Sequence, residues 1–127
     1  MNILLDTHTF LWFVAGSGEL SQRARQTIED PANIGFISIA SLWEISIKTT
    51  LGKLTIKGKY ETVIDDVTSN GFMLLPIEFH TVQQNKPPFH HKDPFDRVLV
   101  SQAIIENMEL ISKDEIFDPY LASKKIA

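Results

Sequence analysis

Four carboxylates stand where the surrounding pattern would bring acids to one rim of a sheet: Asp6, Glu44, Asp96 and Asp114. Asp6 follows the apolar run 2–5, and Asp114 lies two residues past the apolar core of a run at 109–112. Glu44 falls within the first two turns of a helix expected after Ser38, and Asp96 in the first turn of one that begins at Pro94 with Asp93 as its N-cap. Like charges grouped in this way repel one another unless protons or a cation compensate, and hard divalent ions take oxygen ligands. The chemistry on offer is cation binding by carboxylates.

The elements that must position them follow from periodicity. Residues 2–5 form a continuous apolar run, suited to a strand buried on both faces. An apolar helix over 7–14 comes next, closed by Gly16-Ser17-Gly18. Ser21 caps a helix that runs to Glu29, where Asp30-Pro31 stops it. Residues 34–37 read as a second strand, and Ser38 caps a helix to Leu51 with Gly52 beyond its end. An amphipathic helix over 60–69 and a third strand over 72–75 lead to Pro76. A short helix over 78–84 and a Pro-marked loop over 86–92 precede a helix over 94–107, whose Phe95, Val98, Leu99, Gln102 and Ile105 keep the 3.6-residue stripe. Residues 109–112 make a fourth strand, and a fifth edge strand near Lys125-Ile126 is only weakly patterned.

Strands alternating with helices predict an α/β fold with a mainly parallel sheet, in which sites form beyond the carboxyl ends of the strands. A helix leading into a strand begins beside that rim, so Asp96 joins the other three acids there.

Each acid also fits a purely structural role. Asp6 can cap the first helix, and Glu44 and Lys48 are four apart, the spacing of a surface pair worth ~0.3–0.5 kcal/mol. Asp114 can cap a C-terminal turn, and Asp96 can answer a helix dipole. Four such roles falling on one rim still favour a shared site. Other residues carry less. His90-His91 lacks a third ligand at suitable spacing. His8 fits a general base or a structural histidine, and the Phe10–Phe13 segment fits a core or partner surface. Ser41 has no triad partners at recognisable spacing, and no Walker or Gly-x-Gly-x-x-Gly loop is present.

Composition bounds the rest. The chain has 127 residues, 43% hydrophobic, 22% charged, with a net charge of −4, which predicts one globular domain over residues 1–127. Having no cysteine, it has neither thiolate metal ligands nor a cysteine nucleophile. The opening residues read as neither a signal peptide nor a membrane span, so the expected compartment is cytoplasmic, with no membrane partner. Acidity argues against a general nucleic-acid coat. Yet Lys48, Lys53, Lys57 and Lys59 form one basic stretch and Lys86, His90, His91 and Lys92 another, either of which could attract a polyanion locally.

Leu4-Leu5-Asp6-Thr7-His8 with Leu11-Trp12, then Ser38-Ile39-Ala40-Ser41-Leu42-Trp43-Glu44-Ile45, resemble the opening motifs of PIN domains. His91-Lys92-Asp93-Pro94-Phe95-Asp96-Arg97 and Ser112-Lys113-Asp114-Glu115-Ile116-Phe117 complete the pattern, which is nearest to VapC-type toxins, the ribonuclease halves of type II toxin–antitoxin pairs. The resemblance implies a three-layer α/β/α sandwich and a Mg²⁺- or Mn²⁺-dependent RNA endonuclease, with a cognate antitoxin and a homodimer as partners. It maps the family's acidic quartet onto Asp6, Glu44, Asp96 and Asp114, with the three aspartates as main ligands and Glu44 acting through water. Thr7 and Ser112 become candidates to orient those carboxylates, and Arg97, Lys48 and Lys92 candidate phosphate contacts. Ser112 departs from the threonine often found at its place but keeps the hydroxyl.

Receiver domains pair two acids after strand one and place an Asp after strand three; here strand one ends in a single acid and strand three in Pro76. Haloacid-dehalogenase-type phosphatases need Asp-x-Asp where this chain has Asp6-Thr7-His8. The remaining alternatives are a DNA-directed or structure-specific nuclease, and a module that binds RNA or protein without cutting.

Overall fold

A computed structural model describes residues 1–56, 58–79, 93–121 and 125–127. The elements are β1 (Asn2–Leu5), α1 (Thr7–Ala15), α2 (Gln22–Glu29), β2 (Ile34–Ser38), α3 (Ile39–Thr50), α4 (Glu61–Ser69) and β3 (Met73–Leu75). After these come α5 (Pro94–Ile105), β4 (Glu109–Ile111), a 3₁₀ turn (Glu115–Phe117), α6 (Asp118–Leu121) and β5 (Lys125–Ile126). The five strands form one sheet in the order β3-β2-β1-β4-β5, and every pairing is parallel. The mainly parallel sheet expected from the sequence is parallel throughout these strands.

The central strand explains the layering. Ile3, Leu4 and Leu5 are fully buried, and alternate side chains point to opposite faces. Ile3 and Leu5 join Phe10, Leu20, Ala24, Val63 and Val67 from α1, α2 and α4 and their flanks. Leu4 joins Leu99, Val100, Ala103, Phe117 and Leu121 from α5, the 3₁₀ turn and α6. Two cores therefore sandwich the sheet, and α3 adds Leu42 and Ile45 to the first while packing against α5. Among the described residues, no helix is long and apolar enough to cross a membrane.

Strand order decides where a ligand can sit. The chain moves outward from β1 to β2 to β3, then returns to the other side of β1 with β4. Adjacent connections leave in opposite directions there, which opens a crevice at the carboxyl ends of β1 and β4. Asp6 follows β1 and Asp114 follows β4, so two of the four acids flank that crevice.

Several boundaries differ from expectation. Helix α5 ends at Ile105 rather than Asn107, because Asn107 takes a left-handed φ of 53° and Met108 N–H returns to Ala103 O at 2.9 Å. β4 stops at Ile111, since Ser112 turns its side chain to the site. Its N–H still donates to Ile126 O at 2.9 Å and helps to seat β5, the weakly patterned edge strand. The expected helix over 78–84 lies mostly, and the loop over 86–92 wholly, outside the described residues, with Lys92, Lys86, His90 and His91.

One close approach carries a test. A Cβ on Gly35 of β2 would lie 2.7 and 2.9 Å from ring atoms of Phe72. That ring is held edge-on by Phe10 and Phe13, with centroids at 6.0 and 5.7 Å, so it has little room to yield. Gly35→Ala should lower stability by about 1–3 kcal/mol, the usual cost of overpacking. An unchanged denaturant midpoint would show that the aromatic cluster yields freely.

Candidate active site

The acids reach the crevice because each element ends or starts where its cap dictates. Asp6 is the N-cap of α1: its Oδ1 accepts from Thr9 N–H at 2.8 Å, and its Oδ2 accepts from the Ser112 hydroxyl. Ser112 Oγ in turn accepts from Asp114 N–H at 3.0 Å, so one hydroxyl ties the β1 end to the β4 end. Asp114 Oδ1 caps the 3₁₀ turn through Ile116 N–H at 3.1 Å. Ser38 caps α3 at the end of β2 through Ala40 N–H at 3.0 Å, which sets the phase that turns Glu44 inward.

Glu44 is 4% exposed and engages both oxygens. Oε1 accepts from the Thr7 hydroxyl at 2.6 Å, with Ser41 Oγ 3.0 Å from the same hydroxyl, and Oε2 meets Lys48 Nζ at 2.5 Å. That hydrogen bond is the main reason the Lys48 ammonium is held more firmly than an ordinary lysine's. Thr7 and Ser112, candidates for orienting carboxylates, thus each hold one acid.

Asp93 and Asp96 share one helix start. Pro94 occupies the first turn of α5, and Asp93 Oδ1 accepts from Phe95 N–H at 2.9 Å and Asp96 N–H at 3.3 Å. The structural roles read from the sequence therefore hold for Asp6, Glu44 and Asp114, and for Asp93 as N-cap. The acids converge all the same. Asp6, Thr7, His8, Glu44, Lys48, Asp93, Asp96 and Asp114 line one cleft of about 100 Å³. Capping does not exhaust a carboxylate, because each oxygen can accept more than one hydrogen bond.

Five carboxylates face one lysine here, and the electrostatics record it. Burial pushes the Asp96 carboxyl up to about 7, helped by repulsion from Asp93, Glu44, Asp114 and Asp6. Burial also raises Asp6, against the opposing hydrogen bonds from Ser112 and Thr9. The donor set is all oxygen and overloaded with negative charge, which suits a hard divalent ion. As placed, no three acids or histidines among the described residues form a group that could hold such an ion. The fit lies in charge and donor type, and closing on an ion requires the carboxylates to draw together.

Of the expected phosphate contacts, Lys48 lines the cleft but is committed to Glu44, and Arg97 is not among the residues lining it. Lys92 lies outside the described residues. Two features escaped the sequence reading. Asp93 lines the cleft as well as capping α5, which a cap motif does not disclose. A second groove, of about 290 Å³, adjoins the first and is lined by Asp6, His8, Trp12, Lys113 and Asp114. The four-residue spacing of His8 and Trp12 was the available signal for it.

Comparisons with known proteins agree with the fold. The family model described as PIN domain matches residues 3–120. The fold is similar to a chain of the crystal structure of VapBC2 from Rickettsia felis bound to a DNA fragment from its promoter. The TM-score is 0.68 at 13% identity, covering 99% of this chain and 98% of that one. No curated protein matches the sequence.

Proposed function

The chain belongs to the PIN-domain family, and from that premise we propose that its cleft binds Mg²⁺ or Mn²⁺ and hydrolyses RNA phosphodiesters, as the toxin of a toxin–antitoxin pair. The observation that carries this reading is the convergence of Asp6, Glu44, Asp96 and Asp114, from four separate elements, on the crevice at the strand-order switch. Asp6, Asp96 and Asp114 would hold the ion, with Glu44 acting through water. A bound divalent ion supplies an activated water near neutral pH and neutralises charge developing on the phosphoryl oxygens.

The chain's own groups do the positioning. The Ser112 hydroxyl fixes the Asp6 carboxylate, and the Thr7 hydroxyl fixes Glu44 at 2.6 Å. Such outer partners typically contribute 10–100-fold in metal affinity or activity, as an order of magnitude. Lys48 balances one of the five negative charges while staying at the mouth, with a third of its side chain exposed. Asp96, near its titration midpoint at neutral pH, can release a proton as a cation enters.

Support for an antitoxin comes from an apolar groove of about 360 Å³ beside α1 and α4, lined by Phe10, Leu11, Val14, Ile56 and Val63 among others. A groove of that character suits an apolar segment of a protein partner. The similar VapBC2 chain was solved as VapBC2 bound to promoter DNA, which is consistent with such pairing. A homodimer remains part of the proposal. Trp43 is 59% exposed and packs edge-on against Phe95 beside Ile47 and Val98, an apolar face on α3 and α5 that a second copy could cover.

The test combines purified protein with RNA and DNA of matched sequence. RNA cleavage is expected with Mg²⁺ or Mn²⁺ and none with EDTA; cleavage undiminished after thorough chelation removes the mechanism. Expression of the chain alone should slow growth, and co-expression with an antitoxin should restore it. Unaffected growth with cleavage-competent protein present would detach the toxin role from the nuclease.

A further inference from the structure

We propose that the groove beside the acidic cleft is a nucleobase-stacking subsite, in which the Trp12 indole receives the base adjacent to the phosphate held at the carboxylates and Lys113 meets the backbone. This rests on the nuclease reading above and deepens it. The groove shares Asp6 and Asp114 with the cleft, so a strand whose phosphate enters one must run past the other.

The walls favour a base at one place and a phosphate at another. His8 and Trp12 lie four apart on α1 and share a face; their ring centroids are 5.7 Å apart, tilted by 40°. The Lys113 ammonium stands 5.6 Å from the centre of the Trp12 ring. A cation seated there marks an indole π-face that opens on the groove. Its hold is weak. Lys113 reaches the Glu19 carboxylate only at 3.9 Å, with both side chains well exposed, and exposed pairs of that kind contribute little.

Its bond to Glu19 O at 2.8 Å can be exchanged for a phosphate oxygen, because the donor is a flexible ammonium on the surface. A phosphate cannot rest against Asp6 and Asp114 unaided, whereas an uncharged base can lie on the indole beside them. The volume, about 290 Å³, is at the small end of ligand cavities and suits one base rather than a folded element. Because every base has a π-face, the subsite supplies affinity and strand register rather than sequence choice.

The experiment uses Asp96→Asn protein, so that the strand stays uncut, and adds Trp43→Phe to leave Trp12 as the one tryptophan of the two in the chain. Labelled single-stranded RNA and DNA of the same sequence are titrated in Mg²⁺, reading anisotropy and Trp12 fluorescence. Binding is expected to quench Trp12; Trp12→Ala should weaken it about tenfold and Trp12→Phe by less than about threefold. An abasic scan of the strand should find one position whose loss costs a similar factor, and costs nothing more in Trp12→Ala. Lys113→Gln should lower the slope of log affinity against log salt by about one.

Should Trp12→Ala fail to fold, the quench and the abasic scan on the Trp12 protein decide alone. An equal effect with RNA and DNA, or one with RNA alone, supports the subsite; the latter adds a contact to the ribose. Tight binding without quench, or unchanged affinity in folded Trp12→Ala, overturns the subsite and leaves the nuclease reading standing. If neither strand binds the Asp96→Asn protein, the subsite falls, and the cleavage assay on the unsubstituted protein decides the nuclease reading separately.

Discussion

Asp96→Asn is expected to abolish metal-dependent cleavage and, in the same protein, to raise the melting temperature measured without metal. The two effects share one cause. Asp96 sits where Asp93, Glu44, Asp114 and Asp6 all repel it, and burial adds to the penalty on its charge. The amide keeps the shape, removes the charge and forfeits a ligand. Loss of cleavage should reach ~100-fold or more, beyond the 10–100-fold typical of an outer partner. Asp93→Ala is the contrasting variant. Its carboxylate holds Phe95 and Asp96 N–H groups, and losing such a cap costs about 1 kcal/mol. Removing it also relieves part of the repulsion on Asp96, so the net cost should be smaller at pH 8 than at pH 5. Much of the cleavage should survive. An active Asp96→Asn beside a folded but inactive Asp93→Ala would exchange the two assignments.

The second large effect is a fall in metal-free stability as pH rises. A carboxyl raised from 3.8 to about 7 keeps, in the folded state, a proton that the unfolded chain has already given up. Between those two values the unfolded state therefore gains on the folded one with every increment of pH, and above about 7 both titrate alike and the loss levels off. Asp6, also raised by burial, adds to the loss in the same direction. A pKa unit corresponds to ~1.4 kcal/mol, but Asp96 is partly exposed, and screening leaves about 1–2 kcal/mol for its share. Thermal melts in EDTA from pH 5 to pH 8 measure this. Asp96→Asn should flatten the profile, and Mg²⁺ should raise the melting temperature more at pH 8 than at pH 5. A metal-free profile that rises from pH 5 to pH 7 would mean that the carboxylates are not crowded.

What the sequence made legible was whatever short-range pattern controls. Strand ends, Ser38 and the Asp93-Pro94 helix start all follow from local backbone preferences, so four acids could be placed on one rim before any contact was known. The family motifs then singled out Thr7 and Ser112, which do hold Glu44 and Asp6. What stayed hidden depends on pairings across the chain. β5 is two residues whose strand character comes from lying beside Leu110 and Ile111, not from their own propensity. Trp12 reads as core or partner surface until Lys113, brought over by β4, turns its ring face into a groove wall. Asp93 reads as a cap alone because sequence shows one role per residue and space allows two.

The seam between β1 and β4 also sets when this chemistry can begin. Asp6 and the Ser112 hydroxyl that fixes it are separated by 106 positions, and β4 cannot enter the sheet until most of the chain has been made. Contacts of such long range form late, after loop closure has been met by other contacts. During synthesis the amino-terminal half can therefore collapse around Phe10 and Ile37 while Asp6 still lacks its partners. A ribosome-bound fragment ending before β4 already carries Asp6, Glu44, Asp93 and Asp96 but lacks Ser112, Asp114 and the strand that assembles the cleft. The cleft is therefore complete only when the last part of the fold has closed.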